Sequence, residues 1–270
     1  MYLEFYGLTE KPFTITADPS FLYLSKKHRE AISHMQYGIE ERMGFLELTG
    51  EIGTGKTTLC KAFLNTLDER TKTAFVLNPN LSEVQLLEAI IQDFGIPLKS
   101  KNKITMLNQL NKFLLEQLKE GNNVVLIIDE AQNLKPSLLE QIRLLSNLET
   151  EKEKLLQIVL VGQPELKEKL ASKELAQLRQ RIAVRYHIFP LDRTELEGYM
   201  HHRLSKAGGN DRRFFEESAM DEIFRFSKGI PRLINIISDK ALLAGYVSEQ
   251  PTIGPETIKK CIKEIEGIFE

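Results

Sequence analysis

The sequence predicts an α/β fold, in which a doubly wound parallel sheet carries helices on both faces. Four of the five strand candidates are apolar or β-branched almost throughout, as parallel strands buried on both faces are. Helical patterns separate the first four strands, and a glycine-rich loop joins the first strand to a helix. The strands are predicted at residues 45–48, 74–77, 124–128, 158–161 and 184–188.

One helix before the first strand, and the helices between the first four strands, are predicted from apolar residues that recur at helical spacing. They are expected at residues 26–43, 56–68, 82–94, 103–120 and 136–149. The preceding segment, residues 1–24, is aromatic and contains Gly7, Pro12 and Pro19, which forbid a regular helix through it. We expect it to be an apolar arm packed on the domain. The alternative is that part of it forms a wall of a ligand pocket.

A second, helical region is predicted from residue 192 onward. Asp192 or Thr194 is the expected N-cap of a helix that runs through residue 204. A loop at residues 208–210 precedes further helices near 216–227, 232–248 and 255–267, which have apolar residues at helical spacing. The predicted domains are therefore residues 1–191 and residues 192–270.

Composition limits the class of protein. With 270 residues, 42% hydrophobic and 27% charged, the chain can bury one large core or two modest ones. Its net charge of −2 gives no broad basic surface, so affinity for nucleic acid would require a local patch. Cys60 and Cys261 have neither metal-ligand nor disulfide spacing, which favours a reducing, cytosolic compartment. No apolar run has the length of a signal-peptide core or of a bilayer span.

The stretch after the first strand has the spacing G-x-x-x-x-G-K-[ST] of a phosphate-binding loop. Its glycines let the backbone curl so that N–H groups face an anion, and the next helix directs its positive end there. Lys56 is expected to reach the β- and γ-phosphates, and Thr57 to offer its hydroxyl to Mg²⁺. We therefore predict binding of ATP or ADP with Mg²⁺; the alternative is a glycine-rich turn with an exposed lysine. The loop comprises Gly50, Glu51, Ile52, Gly53, Thr54, Gly55, Lys56, Thr57 and Thr58.

A second nucleotide-binding signature closes the third strand, where Asp129 and Glu130 follow the apolar residues 124–128. In such sheets the ligand lies beyond the carboxyl ends of the strands, so polar residues there are candidates for chemistry. Asp129 is expected in the Mg²⁺ shell, directly or through water, and Glu130 is expected to act as general base on the attacking water. Asn78 follows the second strand and Gln163 follows the fourth. The alternative for the acidic pair is the start of a surface loop.

Four further motifs are shared with one known family. They lie at residues 129–132 (DEAQ), 161–166 (VGQPEL), 179–182 (RQRI) and 229–235 (GIPRLIN). With them the chain resembles the AAA+ ATPases, and more narrowly the secretion ATPases of the general secretion pathway protein A type. It is also similar to the ATPases of pilus biogenesis and of exosortase-type surface export, and transposition ATPases share many of these motifs. The resemblance implies a five-stranded sheet in the order 5-1-4-3-2, followed by a small helical lid.

The resemblance also implies roles for five residues. Gln163 stands at the position of the sensor-1 residue, and Asn78 at a position that restrains the catalytic glutamate until a partner binds. Arg232 stands at the position of sensor 2, which touches the γ-phosphate from the lid. Arg181, and second Arg179, match the arginine finger that reaches the nucleotide of a neighbouring subunit; the alternative for both is a solvated helix face. A cation against the transferring phosphoryl group is worth on the order of 10³–10⁵ in rate, which suits arginine.

The expected function is that of a cytoplasmic, Mg²⁺-dependent AAA+ ATPase that powers or gates assembly of a secretion or surface-export apparatus. We expect a homo-oligomer whose partner belongs to the export machinery. The expected location is the cytoplasm, and the alternative is a peripheral position at the inner membrane. One alternative is an ATP-gated DNA-binding regulator of the transposition or replication-initiation type, although the sequence indicates neither a basic surface nor a winged-helix domain. Another is a membrane-anchored scaffold with slow turnover, because family members often continue into a membrane segment and a cell-wall-binding domain.

Overall fold

The chain divides into two compact units. The computed structural model describes residues 1–77, 81–149, 153–209 and 212–267. The sheet unit consists of His28–Gly50 and Leu59–Ile188, and the lid unit consists of Met1–Lys27, Glu51–Thr58 and Phe189–Glu270. The domains predicted from the sequence, residues 1–191 and 192–270, stay a prediction.

The sheet unit contains a five-stranded parallel sheet with the order β2-β3-β4-β1-β5. Read from its other edge, this is the predicted order 5-1-4-3-2, which is thereby confirmed. Because all strands are parallel, their carboxyl ends lie along one edge of the sheet. The strands are β1 Phe45–Gly50, β2 Thr71–Val76, β3 Asn123–Ile128, β4 Gln157–Gly162 and β5 Ile182–Ile188.

Most of the predicted helices are present among the described residues, and each of these begins and ends within a few residues of its predicted bounds. In chain order, the helices are α1 Tyr2–Tyr6, α2 Lys26–Glu40, α3 Lys56–Leu64, α4 Glu83–Asp93, α5 Lys103–Lys119, α6 Pro136–Leu145, α7 Pro164–Leu170, α8 Ala176–Arg181, α9 Arg193–Lys206, α10 Glu217–Ser227, α11 Pro231–Val247 and α12 Pro255–Ile265.

Burial on both faces explains the apolar composition of the central strands. Every residue of β3 from Val124 to Ile128 is at most 1% exposed, and β1 and β4 are buried along their whole length. The helices cover the sheet with one apolar face each; in α5 this face is formed by Met106, Leu110 and Leu114, spaced four residues apart. Burying each such side chain contributes roughly 1.5–3 kcal/mol, so the sheet is a rigid base for the residues at its edge.

Among the described residues, three short α-helices have no counterpart in the helices predicted from the sequence. α1 has five residues and ends at Gly7, whose φ of 69° is left-handed. α7 and α8 have seven and six residues and connect β4 to β5. Too few apolar residues recur in helices this short for their spacing to be recognised; in α7 only Leu166 and Leu170 are buried.

The lid unit packs the N-terminal segment together with α9, α10, α11 and α12 around one apolar core. The buried Arg203 of α9 donates from Nε to the carbonyl of Pro12 at 2.6 Å and from Nη2 to that of Thr14 at 3.2 Å. Asn235 of α11 also donates to the Thr14 carbonyl, at 2.8 Å, and accepts from the Tyr199 hydroxyl at 2.6 Å. These contacts satisfy the backbone of an irregular segment inside the core. The segment expected to be an arm on the α/β domain thus packs with the lid helices.

Within the lid unit, α9 begins at the N-cap Asp192, one of the two predicted candidates. Its carboxylate accepts from the Glu195 backbone N–H at 2.8 Å, while the Glu195 carboxylate accepts from the Asp192 N–H at 3.3 Å. This reciprocal arrangement is a capping box, and it fixes where the helix starts.

Candidate functional site

The glycine loop connects the last residue of β1 to the first residue of α3. Gly53 and Gly55 adopt left-handed backbone angles, with φ of 81° and 92°, as the spacing of the motif requires. The loop is closed by the carbonyl of Glu51. This oxygen accepts from the Thr54 N–H at 3.3 Å, from the Thr54 hydroxyl at 2.9 Å and from Lys56 Nζ at 2.9 Å. The lysine is therefore held across the curled backbone, with its ammonium group at the centre of the loop.

The start of α11 lies against this loop within the lid unit. The backbone N–H of Arg232 donates to the carbonyl of Gly53 at 3.2 Å. A Cβ atom added at Gly53 would lie 2.7 Å from the Cβ of Arg232 and 3.2 Å from Ile230. Arg232 is the second residue of α11, and its side chain is exposed. The structure therefore brings the predicted sensor-2 arginine next to the phosphate-binding loop.

A tight turn in the chain supports this placement of α11. Gly229 has a φ of 76°, and its carbonyl accepts from the Leu191 N–H at 2.9 Å. A Cβ at Gly229 would lie 1.8 Å from the Leu191 carbonyl oxygen, so only glycine fits. Pro231 then starts the helix at a position where its missing N–H costs nothing.

The acidic pair follows β3 at the edge of the sheet, as predicted. Asp129 is 1% exposed, and its N–H continues the strand ladder by donating to the Val76 carbonyl at 3.0 Å. Its Oδ1 accepts from the Glu130 N–H at 2.9 Å. Glu130 has a φ of 53°, in the left-handed region, which for a residue other than glycine costs of order 1–3 kcal/mol. The chain turns sharply here, directly after the buried strand.

Two side-chain amides hold the carboxylate of Glu130. Gln163 Nε2 donates to Glu130 Oε2 at 3.0 Å, and Gln132 Nε2 donates to the same oxygen at 2.5 Å. The backbone N–H of Gln163 in turn donates to Gln132 Oε1 at 3.1 Å. The structure thus brings together the predicted general base and the predicted sensor-1 residue, which come from the ends of β3 and β4.

Sequence reasoning missed Gln132 as a member of this cluster. The residue was visible inside the motif at 129–132, four positions after β3 has ended. Nothing in the spacing shows that its amide folds back onto Glu130, because this depends on the left-handed turn. Asn78, the other predicted partner of Glu130, lies outside the residues that the structure describes.

The two candidate finger arginines differ in their surroundings. The half-buried Arg181 donates from Nη1 to Ser146 Oγ at 2.6 Å and to Asn147 Oδ1 at 2.7 Å. Arg179 is exposed and donates from Nη1 to the Ala171 carbonyl at 3.1 Å. The guanidinium of Arg181 is therefore already bound within the chain, whereas that of Arg179 is more accessible.

A polar row on one face of the sheet joins β1 to β5. The buried Glu47 accepts from Arg185 Nε at 3.2 Å, and burial raises the pKa of Glu47, although the guanidinium opposes this. Arg185 also donates from Nη2 to the Arg179 carbonyl at 2.5 Å. Further along, the Thr49 hydroxyl and His187 Nδ1 are 3.0 Å apart. The strand that leads into the glycine loop is thus linked through Arg185 to the end of α8.

Among the described residues, no helix combines the length and the hydropathy that crossing a bilayer requires.

Strand order, loop and acidic pair together define the class: the chain has the AAA+ P-loop fold, and residues 39–170 match the AAA domain family. The narrower resemblance is confirmed as well. The chain is 44% identical over 269 residues to the general secretion pathway protein A of Aeromonas hydrophila. This match covers 99% of this chain and 49% of that protein. The chain thus spans about half the length of this relative.

Solved structures support the fold. The ORC2 protein of Aeropyrum pernix matches with a TM-score of 0.66 at 17% identity, over 90% of this chain and 68% of that one. Cdc6p from Pyrobaculum aerophilum matches with a TM-score of 0.67 at 17% identity, over 91% of this chain and 70% of that one. The RuvB Holliday junction branch migration motor of Thermotoga maritima matches with a TM-score of 0.55 at 18% identity, over 89% of this chain and 69% of that one. At these identities the likeness concerns the fold alone.

Proposed function

We propose that this AAA+ protein is a Mg²⁺-dependent ATPase whose turnover powers or gates assembly of a secretion or surface-export apparatus. The proposed hydrolysis rests on one observation: the carboxylate of Glu130, just beyond the end of β3, accepts hydrogen bonds from two side-chain amides. Only β4 separates β3 from β1, and the phosphate-binding loop follows β1 along the chain. A loop that binds phosphate and a fixed carboxylate are the two components that hydrolysis of a triphosphate needs.

Phosphate binding is assigned to the loop from Gly50 to Thr58. Its backbone N–H groups and Lys56 would bind the phosphates of ATP or ADP, the lysine by exchanging the Glu51 carbonyl for phosphate oxygens. The hydroxyl of Thr57 and the carboxylate of Asp129 are hard oxygen donors, which is the ligand chemistry that Mg²⁺ prefers. When bound, Mg²⁺ would neutralise charge on the phosphates.

The catalytic steps are assigned to three further side chains. Glu130 would take the proton from the attacking water, and Gln163 would keep the carboxylate in place. Arg232 would contact the γ-phosphate, since its backbone already bonds to Gly53 of the loop. Asn78 stays a prediction from the sequence as a restraint on Glu130.

The proposed assembly is a homo-oligomer in which an arginine reaches the nucleotide of the next subunit. Arg181 ranks first by motif position, and Arg179 ranks second. The exposed position of Arg179 supports including it in the test. The 44% identity to a general secretion pathway protein supports a partner in an export apparatus, with the protein working in the cytoplasm or peripherally at the inner membrane.

Two substitutions test the catalytic assignment. Lys56→Ala should abolish nucleotide binding or turnover, because the loop loses its cation. Glu130→Gln should keep binding and lower kcat by about 10²–10⁴, the usual contribution of a general base. Lys61→Ala in α3 and Glu165→Gln in α7 are the matched controls and should behave like the parent. If the Lys56 and Glu130 variants both hydrolysed ATP like the parent, the assignment would be wrong.

The role in export is tested separately in cells. Replacing the native chain with the Glu130→Gln variant should stop assembly of the apparatus while the protein remains present at its normal level. Normal assembly in these cells, with hydrolysis abolished in vitro, would refute an energetic role.

The alternative function is that of an ATP-gated DNA-binding regulator. The named structural neighbours include an ORC2 protein, a Cdc6p and a Holliday junction branch migration motor, but at 17–18% identity they show the fold and not the function. A mobility shift of duplex DNA that requires ATP and weakens steeply with salt would favour this alternative. No shift at low salt, together with active ATP turnover, would exclude it.

A further inference from the structure

We infer that Gln132 is a positioning residue for the proposed hydrolysis: its side-chain amide fixes the carboxylate of Glu130 in the orientation needed to activate water. The inference rests on the proposed function and adds to it a residue that neither the motif nor the resemblance assigned.

The first argument is the contact between Gln132 and Glu130. Gln132 Nε2 lies 2.5 Å from Glu130 Oε2, which is shorter than the 3.0 Å contact from Gln163 to the same oxygen. Glu130 is half-buried, so these bonds are only partly in competition with water. Two donors that converge on one carboxylate oxygen fix the rotation of the whole group.

The second argument is that Gln132 is itself held at three points. Its Oε1 accepts from the Gln163 backbone N–H at 3.1 Å, so both ends of the amide are used. Its backbone carbonyl accepts from Lys169 Nζ, which also donates to the Leu134 carbonyl at 2.8 Å. An amide that is anchored in this way cannot follow the carboxylate if it rotates, and therefore restrains it.

The third argument is that β4 ends in a residue that leaves room for this amide. A Cβ at Gly162 would lie 2.8 Å from Gln132 Oε1 and 2.9 Å from Leu166 Cδ2. The backbone of Gly162 is not in the left-handed region, so the glycine is explained by space and not by its backbone angles. The end of β4 is thus shaped to accept the side chain of Gln132.

Loss of this restraint should affect the chemical step and leave binding intact. Gln132 bonds to Glu130 and to the end of β4, and phosphate binding is assigned to the loop at residues 50–58. Misplacing a reacting group by about 1 Å can cost on the order of 10²-fold in rate. We expect a decrease in kcat of about 10-fold to 100-fold, with KM for ATP and the Kd of a non-hydrolysable analogue within about twofold of the parent.

The experiment compares two substitutions with a matched control. Gln132→Ala removes the amide, and Gln132→Glu keeps its volume while replacing the donor with an acceptor that repels Glu130. Gln36→Ala removes an equivalent amide-to-carboxylate bond, from Gln36 Nε2 to Glu40 at 2.7 Å, on the exposed side of α2. Thermal unfolding identifies the folded variants, and the isosteric Gln132→Glu keeps the test decisive if Gln132→Ala fails to fold.

A second comparison separates positioning from simple support of the fold. If Gln132 and Gln163 act through the same carboxylate, the double substitution to alanine should lower kcat by clearly less than the product of the single effects. Independent, multiplicative effects would overturn the inference.

The outcomes also separate this inference from the proposed function. A parent that turns over ATP, with folded Gln132 variants that retain its kcat, would refute the inference alone. Variants that lose affinity as much as kcat would also refute it, because they would make Gln132 a residue for binding. A parent that binds ATP with Mg²⁺ and shows no turnover would refute the proposed function, and the inference with it.

Discussion

The contact between the phosphate-binding loop and α11 predicts a specific effect of Gly53→Ala. Gly53 has a φ of 81°, and an added Cβ would lie 2.7 Å from the Cβ of Arg232. Alanine in a left-handed conformation costs roughly 1–2 kcal/mol. Relief of the clash between two saturated carbons costs about 1–3 kcal/mol more, because one backbone has to move. We therefore expect a total destabilisation of about 2–5 kcal/mol.

The control for this variant is Gly7→Ala. Gly7 has a similar φ of 69° and also belongs to the lid unit, but a Cβ there would have no neighbour within 4 Å. It should therefore show only the backbone cost of about 1–2 kcal/mol. The difference between the two variants isolates the contact between the loop and Arg232.

Urea denaturation followed by circular dichroism measures the stabilities, and titration with a fluorescent ATP analogue measures affinity. Gly53→Ala should weaken affinity in parallel with stability, whereas Gly7→Ala should leave affinity unchanged. Equal destabilisation of the two variants, with parental affinity in both, would refute the claim that the loop and α11 constrain one another.

The remaining predictions concern charged residues of the sheet unit. Because the pKa of Glu47 is raised on folding, its ionisation costs stability, and this cost appears as pH rises through the raised pKa. Glu47→Gln should therefore gain stability relative to the parent as the pH rises above about 4, the ordinary pKa of a glutamate, and a difference in the free energy of unfolding that stays constant with pH would contradict this. Arg181→Ala should cost about 1–2 kcal/mol, since its partners Ser146 and Asn147, which directly follow α6, lose a charged donor, and Arg179→Ala should stay within about 0.5 kcal/mol of the parent. Mixing either arginine variant with Lys56→Ala should restore some turnover if the finger acts in trans; inactive mixtures of subunits shown to exchange would count against it.

The strands of the sheet could be predicted because their signal is local. β3 is apolar at five successive positions and ends at two acids, so both the strand and the site at its end are visible in the sequence. The order of the strands, in contrast, could not be predicted from local signals. Nothing in the apolar segments shows which of them pair, and the order 5-1-4-3-2 was available only through the resemblance.

The lid unit was harder to predict, because its contacts join distant parts of the chain. Tyr2 donates to Asp239 and Arg203 donates to Pro12, and these pairs are separated by 237 and 191 residues. The aromatic residues of the N-terminal segment indicate burial, but they carry no information about which core receives them. The segment's place beside the lid helices therefore could not be inferred from its own composition.

The candidate site has the same division between local and distant determinants. Lys56 and Glu130 could be identified because each lies within a few residues of the end of a strand, at a position set by the local motif. The orientation of Glu130 depends on Gln132 and Gln163, and these meet only because β3 and β4 are neighbours. A motif therefore identifies the group that does the chemistry, whereas the sheet determines the amides that orient it. If Gln132 has the role inferred here, catalytic competence depends on the pairing of β3 with β4 as much as on the acidic residue itself.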